Sequence, residues 1–180
     1  QEAAEEEETV RATVEAEASA YIPDSYVKSE EQKLDLYQRI ALIQNEEDER
    51  EMQDELIDRF GDMPIEVTNL LLIARIRAAA EKVRASEVKV KRESARITMA
   101  ETAVLDTEKL PALLSDYAGH LSVRPARPVE FLLTKQSTRR AEDAMLRETL
   151  ALFQRFEALL PEKTTLDIDN GEEPRYKGKE

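Results

Sequence analysis

The residues with the clearest capacity for chemistry are six carboxylates on one face of a single predicted helix. At about 100° per residue they share roughly one third of the helix circumference. They are Glu47, Asp48, Glu51, Asp54, Glu55 and Asp58. Carboxylates grouped in this way can pair with the arginines of a partner, or hold a divalent cation if they converge. Because side chains on one exposed helix face diverge into water, the spacing favours a basic protein partner over a metal site.

This acidic face does not stabilise the helix that carries it. Like charges three or four residues apart destabilise an isolated helix by roughly 0.2–0.5 kcal/mol per pair. The helix dipole favours the N-terminal acids but opposes Glu55 and Asp58 near the C-terminus. Arg50 and Arg59 lie off the face in sequence. Two interpretations stay open: a face that a basic surface covers, or a solvated face that keeps the domain soluble.

Few other residues suit catalysis or cofactor binding. The sequence has no cysteine, one histidine and four glycines, and contains neither a GxxxxGK[ST] loop nor a GxGxxG turn. His120 follows Gly119 at a predicted helix end, which is typical of a surface histidine. Residues 82–96 carry clustered cations without interleaved aromatic side chains, so they predict a solvated hairpin face. The sequence therefore predicts no catalytic residue, no metal ligand, no cofactor and no direct contact with nucleic acid.

Charge is unevenly distributed along the 180 residues, whose formal net charge is -13. Residues 1–60 hold 19 acidic and 6 basic side chains, whereas residues 61–180 hold 20 of each. Duplex DNA binding requires a basic stripe that displaces counterions, so the acidic first third favours a basic protein partner. No run reaches the roughly 18 apolar residues of a membrane span, and no signal segment opens the chain. Together with the lack of cysteine, these features predict a cytoplasmic protein without membrane contact.

Hydrophobic periodicity predicts an α+β domain over residues 13–160. An acidic linker is expected at residues 1–12 and a disordered tail at residues 161–180. The predicted order is an N-terminal strand and three helices, then a small mostly antiparallel sheet with two further helices. The first strand is expected over residues 13–20, and the final helix is expected to be capped by Ser137 or Thr138.

Local signals define the three consecutive helices. Ser29 and Gln32 match a capping box at the start of the first helix. The second helix is predicted from about Glu46 to Phe60, with Gly61 as its C-cap. Pro64 then opens the third helix within its first turn.

Four segments, in this order and spacing, resemble the C-terminal domain of bacterial transcription-repair coupling factors. They are YIPDSYV at 21–27, QKLDLYQRIA at 32–41, ELIDRFGDMP at 55–64 and NLLLIARIR at 69–77. The similarity is sharp over about residues 14–80 and looser to about residue 160. Because this chain has no helicase motif, the resemblance implies a non-catalytic fragment of the family's large ATP-driven DNA translocase.

The resemblance also implies a regulatory function in nucleotide-excision repair. In the family, the parent removes RNA polymerase from a lesion and recruits UvrA through a UvrB-like domain. The C-terminal domain packs on that UvrB-like domain and masks its UvrA-binding surface, so UvrA and polymerase are indirect partners. Acids of the ELIDRFG segment contact arginines of the masked domain, and the matching residues here are Glu55 and Asp58. We expect Asp48, Glu51 and Asp54 to extend the same protein-binding face.

Two functions of other classes also fit the residues alone. A small carboxylate-metal enzyme would bind magnesium or manganese through the acids of the second helix. A free-standing acidic adaptor, or a DNA mimic, would use the same charge without a parent protein.

Overall fold

The computed structural model describes residues 9–161. Most of the predicted acidic linker and nearly all of the predicted tail therefore lie outside the described residues. Within them the elements are β1 (Thr13–Ala16), α1 (Glu30–Ile40), α2 (Glu46–Phe60), α3 (Ile65–Lys82), β2 (Ala85–Val90), β3 (Ser94–Met99), α4 (Leu110–Asp116), β4 (Leu121–Arg124), β5 (Glu130–Thr134) and α5 (Ala144–Glu157). The predicted α+β class, with this distribution of strands and helices, is confirmed.

The strands form one five-stranded mixed sheet in the order β1-β2-β3-β5-β4. β1 is parallel to β2, with Thr13 opposite Glu87 and Ala16 opposite Val90. The other neighbouring strands are antiparallel. A parallel pair needs a long crossover connection, and α1, α2 and α3 together provide it. The three-helix segment is therefore joined to the sheet at both ends, by β1 before α1 and by β2 after α3.

Helix α3 lies between two apolar clusters. Leu71 and Ala74 belong to a cluster formed with α1 and α2, while Leu72 and Ile76 belong to a larger cluster with the sheet and α5. Residues at i, i+3 and i+4 share a helix face, so these two sets point in different directions. An apolar surface on both sides of α3 explains why this helix is largely buried.

The predicted ends of α1 and α2 are confirmed, and the predicted start of α3 is one residue too early. Ser29 Oγ accepts a hydrogen bond from Gln32 N at 3.3 Å. Gly61 is the C-cap of α2, with φ of 84°. Pro64 is the N-cap of α3, one residue before the helix begins. Local sequence therefore determined where these helices start and stop.

The predicted start of the final helix is wrong. α5 begins at Ala144, and the backbone N–H groups of Gln136 and Ser137 donate to Glu148 Oε1 at 3.1 and 2.9 Å. These hydrogen bonds hold the segment after β5 outside the helix. The first strand is also shorter than predicted, because the chain bends after residue 16 and Asn69 Nδ2 binds the Ser19 carbonyl at 2.9 Å.

Candidate protein-binding face on helix α2

The acidic helix α2 begins at a reciprocal set of hydrogen bonds. Asn45 is the N-cap, and its side-chain oxygen accepts from Asp48 N at 2.9 Å. The Asp48 carboxylate accepts from Gln44 N, also at 2.9 Å. Asp48 is therefore partly committed to the helix start, where its negative charge also suits the helix dipole.

Packing on the opposite side fixes how α2 presents its acids. Met52 and Leu56 are buried against α1 and α3. Glu49 pairs with Arg75 of α3, and the two side chains are only 12% and 10% exposed. With apolar contacts and this ion pair on one side, the acidic face is left toward solvent.

The end of α2 is held by Tyr26, from the turn that precedes α1. Its hydroxyl lies 2.8 Å from the Gly61 carbonyl oxygen and 3.1 Å from the Leu56 carbonyl oxygen. Its ring packs on Phe60, with the ring centroids 5.7 Å apart. Burial, with a smaller contribution from Asp62, raises the pKa of Tyr26, so the hydroxyl remains a donor at neutral pH. This contact positions the helix end that carries Asp58.

Most of the predicted acids face solvent without a cation of their own. Glu47, Glu51, Asp54 and Asp58 are exposed. Within residues 9–161, none of these four carboxylates forms an ion pair. The structure thus brings Glu51, Asp54 and Asp58 together on one open face, as their spacing predicts.

Glu55 differs from its neighbours because two arginines contact it. Arg39, in the last turn of α1, donates a hydrogen bond from Nη2 to Glu55 Oε2. Arg59 Nη1 lies 3.5 Å from Glu55 Oε1. The hydrogen bond from Arg39, reinforced by the charges of both arginines, holds the pKa of Glu55 below its usual value. Arg59, which the sequence places off the acidic face, therefore contacts an acid of that face.

Arg39 was not identified from the sequence. Its position in the last turn of α1 suits the helix dipole, and that local role gives no indication of a second one. Only the packing of α1 against α2 brings its guanidinium to Glu55. The sequence offers one signal for this pair: a basic residue in the helix that precedes the acidic helix.

A groove of about 490 Å³ lies beside the acidic face, between the end of α1 and α2. Its lining residues are Arg39, Leu42, Ile43, Asp48, Glu51, Met52 and Glu55. Leu42 is 72% exposed, so an apolar side chain adjoins the carboxylates. This combination suits the aliphatic stem and charged head of an arginine side chain.

The carboxylates do not converge on a metal site in the part of the chain that the structure describes. Among residues 9–161 there is no group of three or more potential metal-ligating side chains. His120 is half-buried, and its Nδ1 lies 3.1 Å from Thr134 Oγ1. Over the same residues, no helix is long and apolar enough to cross a bilayer.

Comparison with known proteins assigns this α+β domain to a family. The family model described as TRCF domain matches residues 16–110. The match covers more than half of the chain, so the protein belongs to the TRCF domain family. The resemblance to transcription-repair coupling factors is thereby confirmed at the level of the TRCF domain family.

The relatives of this chain include two bacterial proteins named transcription-repair-coupling factor. Identity is 34% over 112 residues with the one from Bacillus subtilis (strain 168), covering 61% of this chain and 10% of the relative. It is 33% over 114 residues with the one from Rickettsia prowazekii (strain Madrid E), covering 63% and 10%. The chain therefore spans about a tenth of the length of these relatives.

A solved structure is similar over most of the fold. It is described as the crystal structure of the C-terminal domain of transcription-repair coupling factor. The TM-score is 0.61 at 25% identity, and the match covers 81% of this chain and 95% of that one.

Proposed function

We propose that this domain is a non-catalytic regulatory part of a transcription-repair coupling factor and acts as an autoinhibitory clamp. It covers the UvrA-binding surface of a UvrB-like domain in the same polypeptide during transcription-coupled nucleotide-excision repair. UvrA and RNA polymerase are then linked to it through the parent protein. Membership of the TRCF domain family and the names of the relatives support a role in transcription-repair coupling.

The single observation that carries the proposal is the open acidic face of α2. Asp58 is exposed and unpaired within the described residues, at the helix end where the dipole opposes a negative charge. A covering arginine relieves that repulsion and forms a charge-assisted hydrogen bond. Glu51 and Asp54 extend the negative field along the same face, and Asp48 lies at its N-terminal end.

Glu55 takes part differently from Asp58. Its carboxylate is already in contact with Arg39 and Arg59, so an arginine of the UvrB-like domain has to share Glu55 with these two residues or replace one of them. A carboxylate has about four lone-pair sites and can accept from more than one guanidinium. Glu55 therefore contributes mainly hydrogen-bond acceptors in a fixed position, whereas Asp58 contributes a negative charge that no internal cation compensates.

A contact of this kind is suited to release. Exposed ion pairs contribute about 0–1 kcal/mol each and are screened by salt. Several such pairs make a specific but reversible contact, which a modest binding preference for the open form can shift. Such a contact holds the clamp closed without making it permanent.

The test is charge reversal in the full-length parent. Glu55→Lys with Asp58→Lys is expected to raise UvrA affinity about tenfold or more, because the masking surface then repels arginine. Glu101→Lys with Glu108→Lys changes net charge equally, at exposed acids outside α2, and is expected to leave UvrA affinity unchanged. Circular dichroism of each variant checks that the domain stays folded. If the first pair leaves UvrA affinity at the control value, these residues do not form the clamp.

A further inference from the structure

We propose that Arg39 is an internal competitor that weakens the clamp. In the free domain it occupies Glu55, and it repels the arginine that docks there. The inference rests on the proposed function and concerns the strength of the same contact. Arg39 then determines how readily the clamp opens.

The geometry places two internal cations at one carboxylate. Arg39 and Arg59 approach different oxygens of Glu55, one from α1 and the other from the following turn of α2. The Glu55 side chain is 32% exposed, and those of Arg39 and Arg59 are 41% and 36% exposed. An approaching guanidinium can therefore reach Glu55, but only beside two positive charges.

Arg39 has a second anion to which it can turn. Its Nη1 lies 3.7 Å from Asp35 Oδ2, one turn earlier on α1. Asp35 is exposed, with 60% of its side chain in solvent. Displacement from Glu55 therefore leaves Arg39 with a partner, so exchange with an arginine of the masked domain is feasible.

Asp58 shows what the same helix end offers without an internal cation. It is one turn from Glu55, is exposed, and forms no ion pair within the described residues. A partner arginine meets the full negative charge of Asp58, whereas the charge of Glu55 is already compensated by Arg39 and Arg59. Removing Arg39 leaves Glu55 with Arg59 as its one internal partner, so Glu55 regains part of its uncompensated charge and docking should strengthen.

A purely structural role for Arg39 predicts the opposite sign. If Arg39 serves only to tie α1 to α2, its loss loosens Glu55 and weakens docking. Competition instead predicts that Arg39→Gln tightens docking even though the domain loses an internal ion pair. The direction of the change in docking strength thus separates the two roles.

The experiment measures UvrA affinity of the full-length parent across a series of NaCl concentrations. Arg39→Gln is expected to lower UvrA affinity about threefold at low salt and to move the opening of the clamp to higher salt. Arg50→Gln is the matched control, because Arg50 is an exposed arginine that pairs with Glu46. Its effect on UvrA affinity should be much smaller.

A double-mutant cycle locates the effect at Glu55. Glu55→Gln alone should raise UvrA affinity. In the Glu55→Gln background, Arg39→Gln should no longer tighten the clamp, so it should leave UvrA affinity unchanged. If Glu55→Gln raises UvrA affinity while Arg39→Gln fails to lower it, competition is overturned and the clamp stands. If neither Glu55→Gln nor the charge reversal alters UvrA affinity, the clamp and the competitor are both overturned.

Discussion

Arg39 of α1 and Glu55 of α2 form an ion pair across two helices, at the side of the acidic face that adjoins α1. The pair means that this face is not uniformly negative: one carboxylate is neutralised from within, and its exposed neighbours are not. Both the docking of a basic partner and the stability of the α1–α2 contact depend on the same carboxylate.

The pH dependence of folding should show the Glu55 pair. The hydrogen bond from Arg39 lowers the pKa of Glu55 below its ordinary value of 4.5. A depressed folded-state pKa gives stability that is present above the ordinary value and lost as pH falls through the folded value. Urea denaturation from pH 6 to about pH 3 should therefore show a shallower acid decline for Glu55→Gln than for wild type. Equal slopes would show that the pair does not form in solution.

The nearly buried pair of Glu49 and Arg75 should matter more for stability than any exposed pair. Removing one partner leaves a largely desolvated charge without compensation, so Glu49→Gln is expected to destabilise the fold by about 2–4 kcal/mol. The control is Glu46→Gln, whose pair with Arg50 is mostly exposed and should contribute less than about 1 kcal/mol. Urea denaturation midpoints measure both changes. Similar losses in the two variants would contradict the structure.

The hydroxyl of Tyr26 should stabilise the end of α2. Tyr26→Phe keeps the ring contact with Phe60 but removes the contacts to the Gly61 and Leu56 carbonyl oxygens. The expected loss is about 1–2 kcal/mol, because the end of α2 loses the hydroxyl donor that its carbonyl oxygens share, and the one on Leu56 is partly buried. Tyr21→Phe is the control, since Tyr21 is exposed. Thermal denaturation at one pH compares them, and an unchanged midpoint for Tyr26→Phe would count against the contact.

Gly61 ends α2 in a conformation that other residues avoid. Its φ of 84° and ψ of -164° lie in a region that is essentially restricted to glycine. A Cβ there would meet no atom within 4 Å, so any cost comes from the backbone and not from a clash. Gly61→Ala is therefore expected to destabilise the domain by about 1–3 kcal/mol. Asp62→Ala, at the next exposed position, should stay within about 0.5 kcal/mol of wild type.

Local chemistry made much of α2 predictable from sequence. Its range, its C-cap at Gly61 and the common face of Glu51, Asp54 and Asp58 all follow from spacing within one helix. These features depend on neighbours in the chain, which the sequence specifies directly. The same holds for the Ser29 cap of α1.

Features that join distant segments were not predictable. Ser137 looks like a helix cap, but its backbone N–H binds Glu148 from a later helix turn, so a tertiary contact overrides the local signal. The approach of Arg39 to Glu55 depends on the crossing of α1 and α2, which no residue spacing encodes. The parallel pairing of β1 with β2 likewise requires three intervening helices to return the chain.

The most direct test of the clamp is a charge swap within the full-length parent, with UvrA affinity as the readout. Glu55→Lys with Asp58→Lys should expose the UvrB-like domain and raise UvrA affinity. Converting the facing arginines of that domain to glutamate, in the same molecule, should restore the intramolecular contact, provided those changes alone leave UvrA binding to the UvrB-like domain measurable. A masked state that is sensitive to salt is expected to return in the swapped protein. UvrA affinity that is the same in the wild type and the lysine variant would contradict it.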